Sequence, residues 1–365
     1  MQFEQCTLDE VSEAMGFLDS GMSRHDWAIV GMAIKSEFGE GGQSTFDDWS
    51  AGSDKYDKDN IKSSWRSFKQ SGRNGSVSIA TLFKQAIDAG YKPKQQEFSE
   101  EEKQKRQQEY QARRVLREKE AIEEQRLLGE LQLSIAKACQ TVWENLPIEG
   151  ESDYLKRKQV AACGARFVGS SFMFVVDLVE NRAYVLTERD EMTRMAAFKK
   201  AHPDDVTFFW LKKGAIVLPM FDMQGTLWSL QFILANGTKL FIKNSMKSDT
   251  CFLIGEVDHN GHSPICLAEG FATGASVYMA TGYPVFVCWD AGNLKKIAPQ
   301  VREAFPDYEM LICGDNDVYH KETKALNENN EGLLAATHAA REAMCGFVVP
   351  FFNPLVMEDK VAANA

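Results

Sequence analysis

The sequence predicts an α/β protein: a mostly parallel sheet flanked by helices in the last third, an α+β segment before it, and a small all-α domain at the start. Three observations carry this prediction. First, between residues 262 and 352 the apolar runs Ile265–Ala268, Val285–Trp289, Met310–Cys313 and Gly346–Val349 alternate with helix-like stretches at Ala272–Ala280, Leu294–Phe305 and Leu333–Met344. Such alternation folds as parallel strands joined by right-handed crossovers. Second, residues 215–243 read as strand, turn, strand, turn, strand. Third, a charge-dense stretch over 96–135 separates these from an amino-terminal region with helical periodicity.

The bulk numbers agree with several domains. A chain of 365 residues suggests two or three. Hydrophobic residues at 44% and charged residues at 25% are ordinary for a globular protein. The net charge of −11 excludes a surface that is basic all round, but not a local basic groove. The eight cysteines (Cys6, Cys139, Cys163, Cys251, Cys266, Cys288, Cys313 and Cys345) include no CxxC pair. No structural zinc is therefore expected, and the cysteines read as buried, reduced residues of a cytosolic protein. Met1–Gln5 has neither a basic nor an apolar character, and no apolar run is long enough to span a bilayer. No signal peptide, no membrane association and a cytoplasmic location are expected.

Residues 1–95 are expected to form the helical domain. Leu8, Val11, Ala14, Met15 and Leu18 recur at helical spacing, as do Val30, Ala33 and Ile34 after Trp27. Gly39–Gly42 breaks the second helix. Trp27, Trp49 and Trp65 read as core anchors. Over 96–135, Ser99 caps a helix that begins with three glutamates. Tyr110, Val115, Leu116, Ile122, Leu127 and Leu128 are sparse for a coiled coil, so this reads as a solvated, semi-rigid linker helix rather than a dimerisation helix. Residues 136–260 form the α+β subdomain. In it, Asp222–Gly225 and Ala235–Thr238 are the turns of a β-meander, Asn-Gly being a strong hairpin signal. Residues 261–353 form the parallel-sheet domain, and 354–365 a tail.

The chemistry-bearing residues follow from the strands. Ile265–Ala268 runs into Glu269-Gly270, and Met310–Cys313 into Gly314-Asp315-Asn316-Asp317. Ligands of open α/β sheets sit at the carboxyl ends of the strands. Glu269, Asp315 and Asp317 are thus expected to converge, and converging carboxylates need a cation. Hard oxygen donors suit Mg²⁺, with Mn²⁺ as a substitute. Asp315 and Asp317, two apart in extended chain, point the same way. Asp290 stands at another strand end. It either joins the metal ligands or caps the helix that begins near Leu294. Lys156, Arg157 and Lys158 form a basic cluster that either grips phosphate or is an exposed helix face. Lys239, Lys243 and Lys247 flank the meander, and Lys239 and Lys243 are expected on one strand face, contacting phosphate. His259 and His262 lie in a polar loop and are not expected to bind metal.

These residues also carry a resemblance. Ala268-Glu269-Gly270-Phe271-Ala272-Thr273-Gly274, Asp290-Ala291-Gly292-Asn293-Leu294, Gly314-Asp315-Asn316-Asp317 and Asn330-Glu331-Gly332-Leu333 occur in the order seen in the toprim domain of DNA primases carried by phages and plasmids. Tyr154–Lys158, Leu218-Pro219-Met220, Leu227–Ile233 and Gly237–Lys243 are similar to the segment that precedes toprim there, so the likeness covers about 140–350. Trp27–Lys35, Phe46–Ser50 and Trp65–Phe68 resemble a small helical domain found beside primase cores in mobile elements. The resemblance implies a nucleotidyltransferase that makes short RNA primers on single-stranded DNA from nucleoside triphosphates. Glu269, Asp315 and Asp317 would hold one or two Mg²⁺ ions for attack of a 3′-hydroxyl on the α-phosphate. No zinc ribbon and no Gly-x-x-x-x-Gly-Lys-Ser/Thr loop is present, so a template reader is missing and a replicative helicase is expected in trans. The alternatives are a toprim nuclease, with water as nucleophile, and a non-catalytic DNA-binding accessory protein of replication.

Overall fold

The computed structural model describes residues 5–68, 77–93, 99–258, 263–316 and 330–350. The chain divides into two compact units, Met1–Arg126 and Leu127–Ala365. Among the described residues no helix is long and apolar enough to cross a membrane.

The first unit is helical: α1 (Leu8–Met15), α2 (Arg24–Phe38), a 3₁₀ turn (Gly39–Gly42), α3 (Gln43–Ser50), α4 (Lys58–Ser67), α5 (Ile79–Asp88) and the first part of α6 (Glu100–Asn145). Local chemistry sets the ends. Thr7 and Glu10 form a reciprocal capping box at α1. Ser23 caps α2, and Gly39, at φ 57°, stops it. The core gathers Val30, Ile34, Phe46, Trp65, Phe68 and Leu82. Trp27 and Trp65 are buried as expected, whereas Trp49 is only half-buried and donates Nε1–H to the Leu18 carbonyl.

Helix α6 differs from the expected solvated linker in two respects. Its first part is tied down by arginines. Arg106 pairs with Glu10 at 2.9 Å, and Arg113 and Arg117 both meet the buried Glu37 at 3.4 Å. The charge density read as solvation is in part a set of forks reaching carboxylates. The helix also runs past residue 135 to Asn145, and its last turns bury Leu131, Ile135, Ala138, Cys139 and Val142. That spacing of three, four and seven is the apolar stripe of a core helix.

The second unit continues with α7 (Asp153–Lys158), β1 (Arg166–Phe167), β2 (Phe172–Asp177), β3 (Arg182–Leu186), α8 (Arg189–Ala201), β4 (Val206–Leu211), β5 (Ile216–Phe221), β6 (Leu227–Ile233), β7 (Lys239–Phe241) and β8 (Phe252–Ile254). Then come β9 (Ile265–Ala268), α9 (Phe271–Thr281), β10 (Val285–Val287), α10 (Ala291–Ala304), β11 (Met310–Cys313), α11 (Glu331–Glu342) and β12 (Gly346–Val348). They make three sheets, ordered β1-β5-β6-β7, β3-β2-β4 and β12-β11-β9-β10-β8. The last is parallel except for its antiparallel edge strand β8. Both meander turns lie where the sequence puts them, with Gly225 at φ 84° and Gly237 at φ 92°. Strand β7, however, stops at Phe241. Lys243 lies in the turn beyond it, next to Asn244 at φ 63°, so Lys239 and Lys243 do not share a strand face.

Ile135 is fully buried among Phe172, Phe174, Leu230 and Phe232 in one core cluster. Ile135→Ala is expected to destabilise the second unit by about 2–5 kcal/mol, read from the urea unfolding midpoint. Asp222, at the first meander turn, accepts hydrogen bonds from Trp228 Nε1 (2.7 Å), Thr226 N (2.8 Å) and Gln224 N (3.0 Å). Partial burial raises its carboxyl, but these donors outweigh that and hold it below the usual range. The stability it supplies is present above the unfolded aspartate pKa of about 3.9 and is lost as pH falls through the lower folded value. Asp222→Asn is therefore expected to lower the melting temperature at neutral pH and to flatten its acid fall.

Candidate active site

Three neighbouring strands end level. Ala268 pairs with Cys313 of β11 on one side and with Val287 of β10 on the other. With strands about 4.8 Å apart, the residues that follow share one sheet edge: Glu269 after β9, Gly314-Asp315 after β11, and Cys288-Trp289-Asp290 after β10. Glu269 is half-buried, with Oε1 shielded from solvent. Gly270 then starts α9, and a Cβ there would stand 3.4 Å from Lys239 Nζ, so this lysine reaches the Glu269–Gly270 turn from β7. One turn into α9, Thr273 donates its hydroxyl to Asp315 Oδ1 at 3.2 Å. Gly314 is needed because α11 passes close: a Cβ would lie 2.6 Å from that of Ala336.

Asp290, left open between two roles, caps α10 by accepting from Asn293 N at 2.8 Å and also pairs with Lys247. Burial raises its carboxyl, but Lys247 and the Asn293 and Gly292 N–H groups outweigh that and hold it below the usual range. Lys247 in turn stands 4.0 Å from the centre of the Phe241 ring. The chain enters Asp290 through Trp289, which is buried at φ 74°, a conformation rare for a bulky residue.

Asn293 makes the arrangement rigid. It is 5% exposed, and its amide donates to the Thr250 carbonyl (2.6 Å) and the Cys288 carbonyl (3.0 Å) while Oδ1 accepts from Asp249 N (2.8 Å). One side chain thus fixes the 247–251 loop, the end of β10 and the start of α10. Sequence reasoning noted it only within a resemblance. Thr273 had no individual signal either.

The other predicted residues stand elsewhere or are engaged locally. Lys156 pairs with Glu151 at 2.7 Å, and Arg157 donates to the Ala235 carbonyl at 3.1 Å. Lys158 and Lys243 are exposed. Asp317, His259 and His262 lie outside the described residues. Among the described residues no group of three or more His, Cys, Asp or Glu side chains is gathered for a metal. Burial pushes the Cys6 and Cys251 thiols up to about 12, which keeps them protonated at neutral pH.

Comparison with known proteins adds to this geometry. The family described as Primase C terminal 2 (PriCT-2) matches residues 11–86, inside the first unit. The chain is 33% identical over 138 residues to a DNA primase TraC of Escherichia coli, covering 38% of this chain and 9% of that protein. A second protein of that name and organism matches at 33% over 138 residues, covering 38% of this chain and 13% of its own length. The chain thus spans only about a tenth of these curated relatives. The primase fragment of the bacteriophage T7 primase-helicase protein is similar at TM-score 0.28 and 20% identity, over 41% of this chain and 62% of that one. The DnaG primase catalytic domain bound to ssDNA is similar at TM-score 0.31 and 12% identity, over 64% of this chain and 76% of that one. Likenesses this low place no residue of this chain.

Asn293→Asp keeps the size of the side chain but loses both donations, leaving two buried carbonyls without this donor. It is expected to destabilise the second unit by about 2–4 kcal/mol, measured by urea unfolding.

Proposed function

We propose that this protein is a DNA primase of the toprim type, making short RNA primers on single-stranded DNA by Mg²⁺-dependent nucleotidyl transfer. The observation that carries this reading is the pair Glu269 and Asp315 on neighbouring strand ends, with Thr273 on Asp315 and Lys239 at Gly270. The PriCT-2 match over 11–86 and the identity to primases over 138 residues support it.

The donor set fits the ion. Mg²⁺ keeps several of its waters and takes one or two carboxylates, which Glu269 and Asp315 offer, with Asp317 as the third by its place in the sequence. When bound, it supplies a Lewis acid at the α-phosphate and counter-charge for the departing pyrophosphate. The chain's own groups do the positioning. Thr273 orients Asp315 through its hydroxyl. Lys239 brings positive charge to the turn after β9, where triphosphate oxygens would stand. Lys243, exposed on the loop after β7, is the group for template and primer phosphates, a contact that is sequence-independent and salt-sensitive, whereas Lys247 is held by Asp290. Nucleoside triphosphates and single-stranded DNA are the substrates, and a replicative helicase acts in trans.

The test is a priming assay with single-stranded DNA, Mg²⁺ and labelled ribonucleotides. Short products are expected, reduced about 100-fold or more in Glu269→Gln and in Asp315→Asn, with single-stranded DNA binding kept. Cleaved template in place of products would make the protein a nuclease. Products unchanged in both variants would remove these carboxylates from the chemistry.

A further inference from the structure

Helix α6 meets the rest of the first unit with its charged side. Arg106 reaches Glu10, and Arg113 and Arg117 reach the buried Glu37, with the Arg113 guanidinium carbon 4.9 Å from the centre of the Phe38 ring. At 3.6 residues per turn, the opposite side carries Ala112, Val115, Lys119, Ile122 and Arg126, spaced by three and four, with Leu116 beside them. That side faces solvent: Val115 is 50% exposed, Leu116 58% and Ile122 69%. A shallow groove runs along it, lined by Gln108, Gln111, Ala112, Val115, Leu116 and Lys119. The usual order of an amphipathic helix, with the apolar stripe inward and the charge outward, is reversed here. Three large apolar side chains in one exposed row, none of them used by the chemistry above, mark an interaction face.

We infer that this face pairs two copies of the chain, α6 against α6, antiparallel about a two-fold axis. Charge decides both the partner and the direction. In a parallel pair each residue of the seam meets its own copy, so Lys119 would face Lys119 and Arg126 would face Arg126, while Glu118 would approach Glu123 of the second copy. All of these contacts are between like charges. In an antiparallel pair the same flanks meet. With the two-fold axis at residue 121, Ile122 packs beside its copy, Lys119 stands level with Glu123 of the second copy, and Leu116 lies along the Arg126 stem of the second copy. On the other flank Glu118, paired with Arg114 at 3.0 Å, meets the Gln125 amide of the second copy. Symmetry makes each of these contacts twice. Glu123 is already oriented by Arg126 at 2.6 Å and stays exposed, so Lys119 joins an ordered carboxylate. A partner of one charge sign would set Lys119 or Glu123 against like charge, whereas a second copy satisfies both. Helix α6 is formed before it pairs, so little ordering cost is added. Three apolar side chains from each copy make a small interface, and a dissociation constant in the micromolar range is expected. The inference is independent of the carboxylate chemistry proposed for the second unit.

The test is sedimentation velocity of the full chain at concentrations from about 1 to 100 μM, which bracket a micromolar dissociation constant. A shift from one chain to two is expected across this range. Ile122→Asp is expected to raise the dissociation constant about 10-fold or more, and Lys119→Glu to do the same by setting it against Glu123 of the second copy. The double variant Lys119→Glu/Glu123→Lys reverses both charges and is expected to dimerise as the unchanged chain does, a rescue that only the antiparallel pairing gives. All three side chains are exposed, so the fold is kept, checked by an unchanged melting temperature at the lowest concentration. The Glu269→Gln/Asp315→Asn chain is expected to dimerise equally, so a failure of the priming reading leaves this result standing. A single chain throughout the range, a dimer unaffected by Ile122→Asp, or a double variant as weak as Lys119→Glu alone would overturn the inference.

Discussion

Negative charge gathered at one sheet edge is the constraint on which the second unit's arrangement depends. Level strand ends bring Glu269, Asp315 and Asp290 to the same side of β11, β9 and β10. Two carboxylates at strand spacing repel by about 3 kcal/mol at an effective dielectric constant near 20. The neighbouring groups read as answers to that cost. Lys247 takes Asp290, Thr273 donates to Asp315, and Lys239 reaches the turn of Glu269. Helices α9 and α10 begin at this edge, and their positive ends face it. On the proposed reading, a divalent cation would complete the same compensation, held by groups already fixed for other reasons.

What the sequence made legible follows from where the information is local. Strands β9 and β11 fall at the residues expected, because a strand buried on both faces is a short continuous apolar run stopped by its loop. Glu269 and Asp315 were legible because Glu269 directly follows such a run and Asp315 stands one glycine beyond another. The sheet β3-β2-β4 was not, although Phe172–Val176 is as apolar as β9. Its hairpin lacks Gly and Pro and turns instead through Asp177, which accepts from the Val179 and Glu180 N–H groups, and through Asn181 at φ 50°. Thr273, Asn293 and the reach of Lys239 were also hidden. Each matters only through partners far away in sequence.

Helix α6 shows the converse error. Charge density suggests solvent, yet Glu37 is buried between two arginines of that helix. Removing one member of a buried pair leaves uncompensated charge, so such contacts fix register even where they add little net stability. The apolar stripe from Leu131 to Val142 was present in the sequence but overlapped the end of the charged run. A boundary drawn from composition at residue 135 falls inside a helix that runs to Asn145.

The backbone at Trp289 joins these threads. A bulky residue in the left-handed region costs about 1–3 kcal/mol and persists only where its surroundings over-determine it. Here they do. Trp289 donates Nε1–H to Thr250 at 3.2 Å and meets Phe241 edge-on at 6.4 Å, while Asn293 holds the adjacent Cys288 and Thr250 carbonyls. The turn directs Asp290 to the start of α10 and to Lys247, so its charge is spent on a helix cap and an ion pair. Strain at one residue thereby separates the roles of the acids at this edge. Asp290 becomes architecture, and Glu269 and Asp315 are the acids that remain for the proposed reaction.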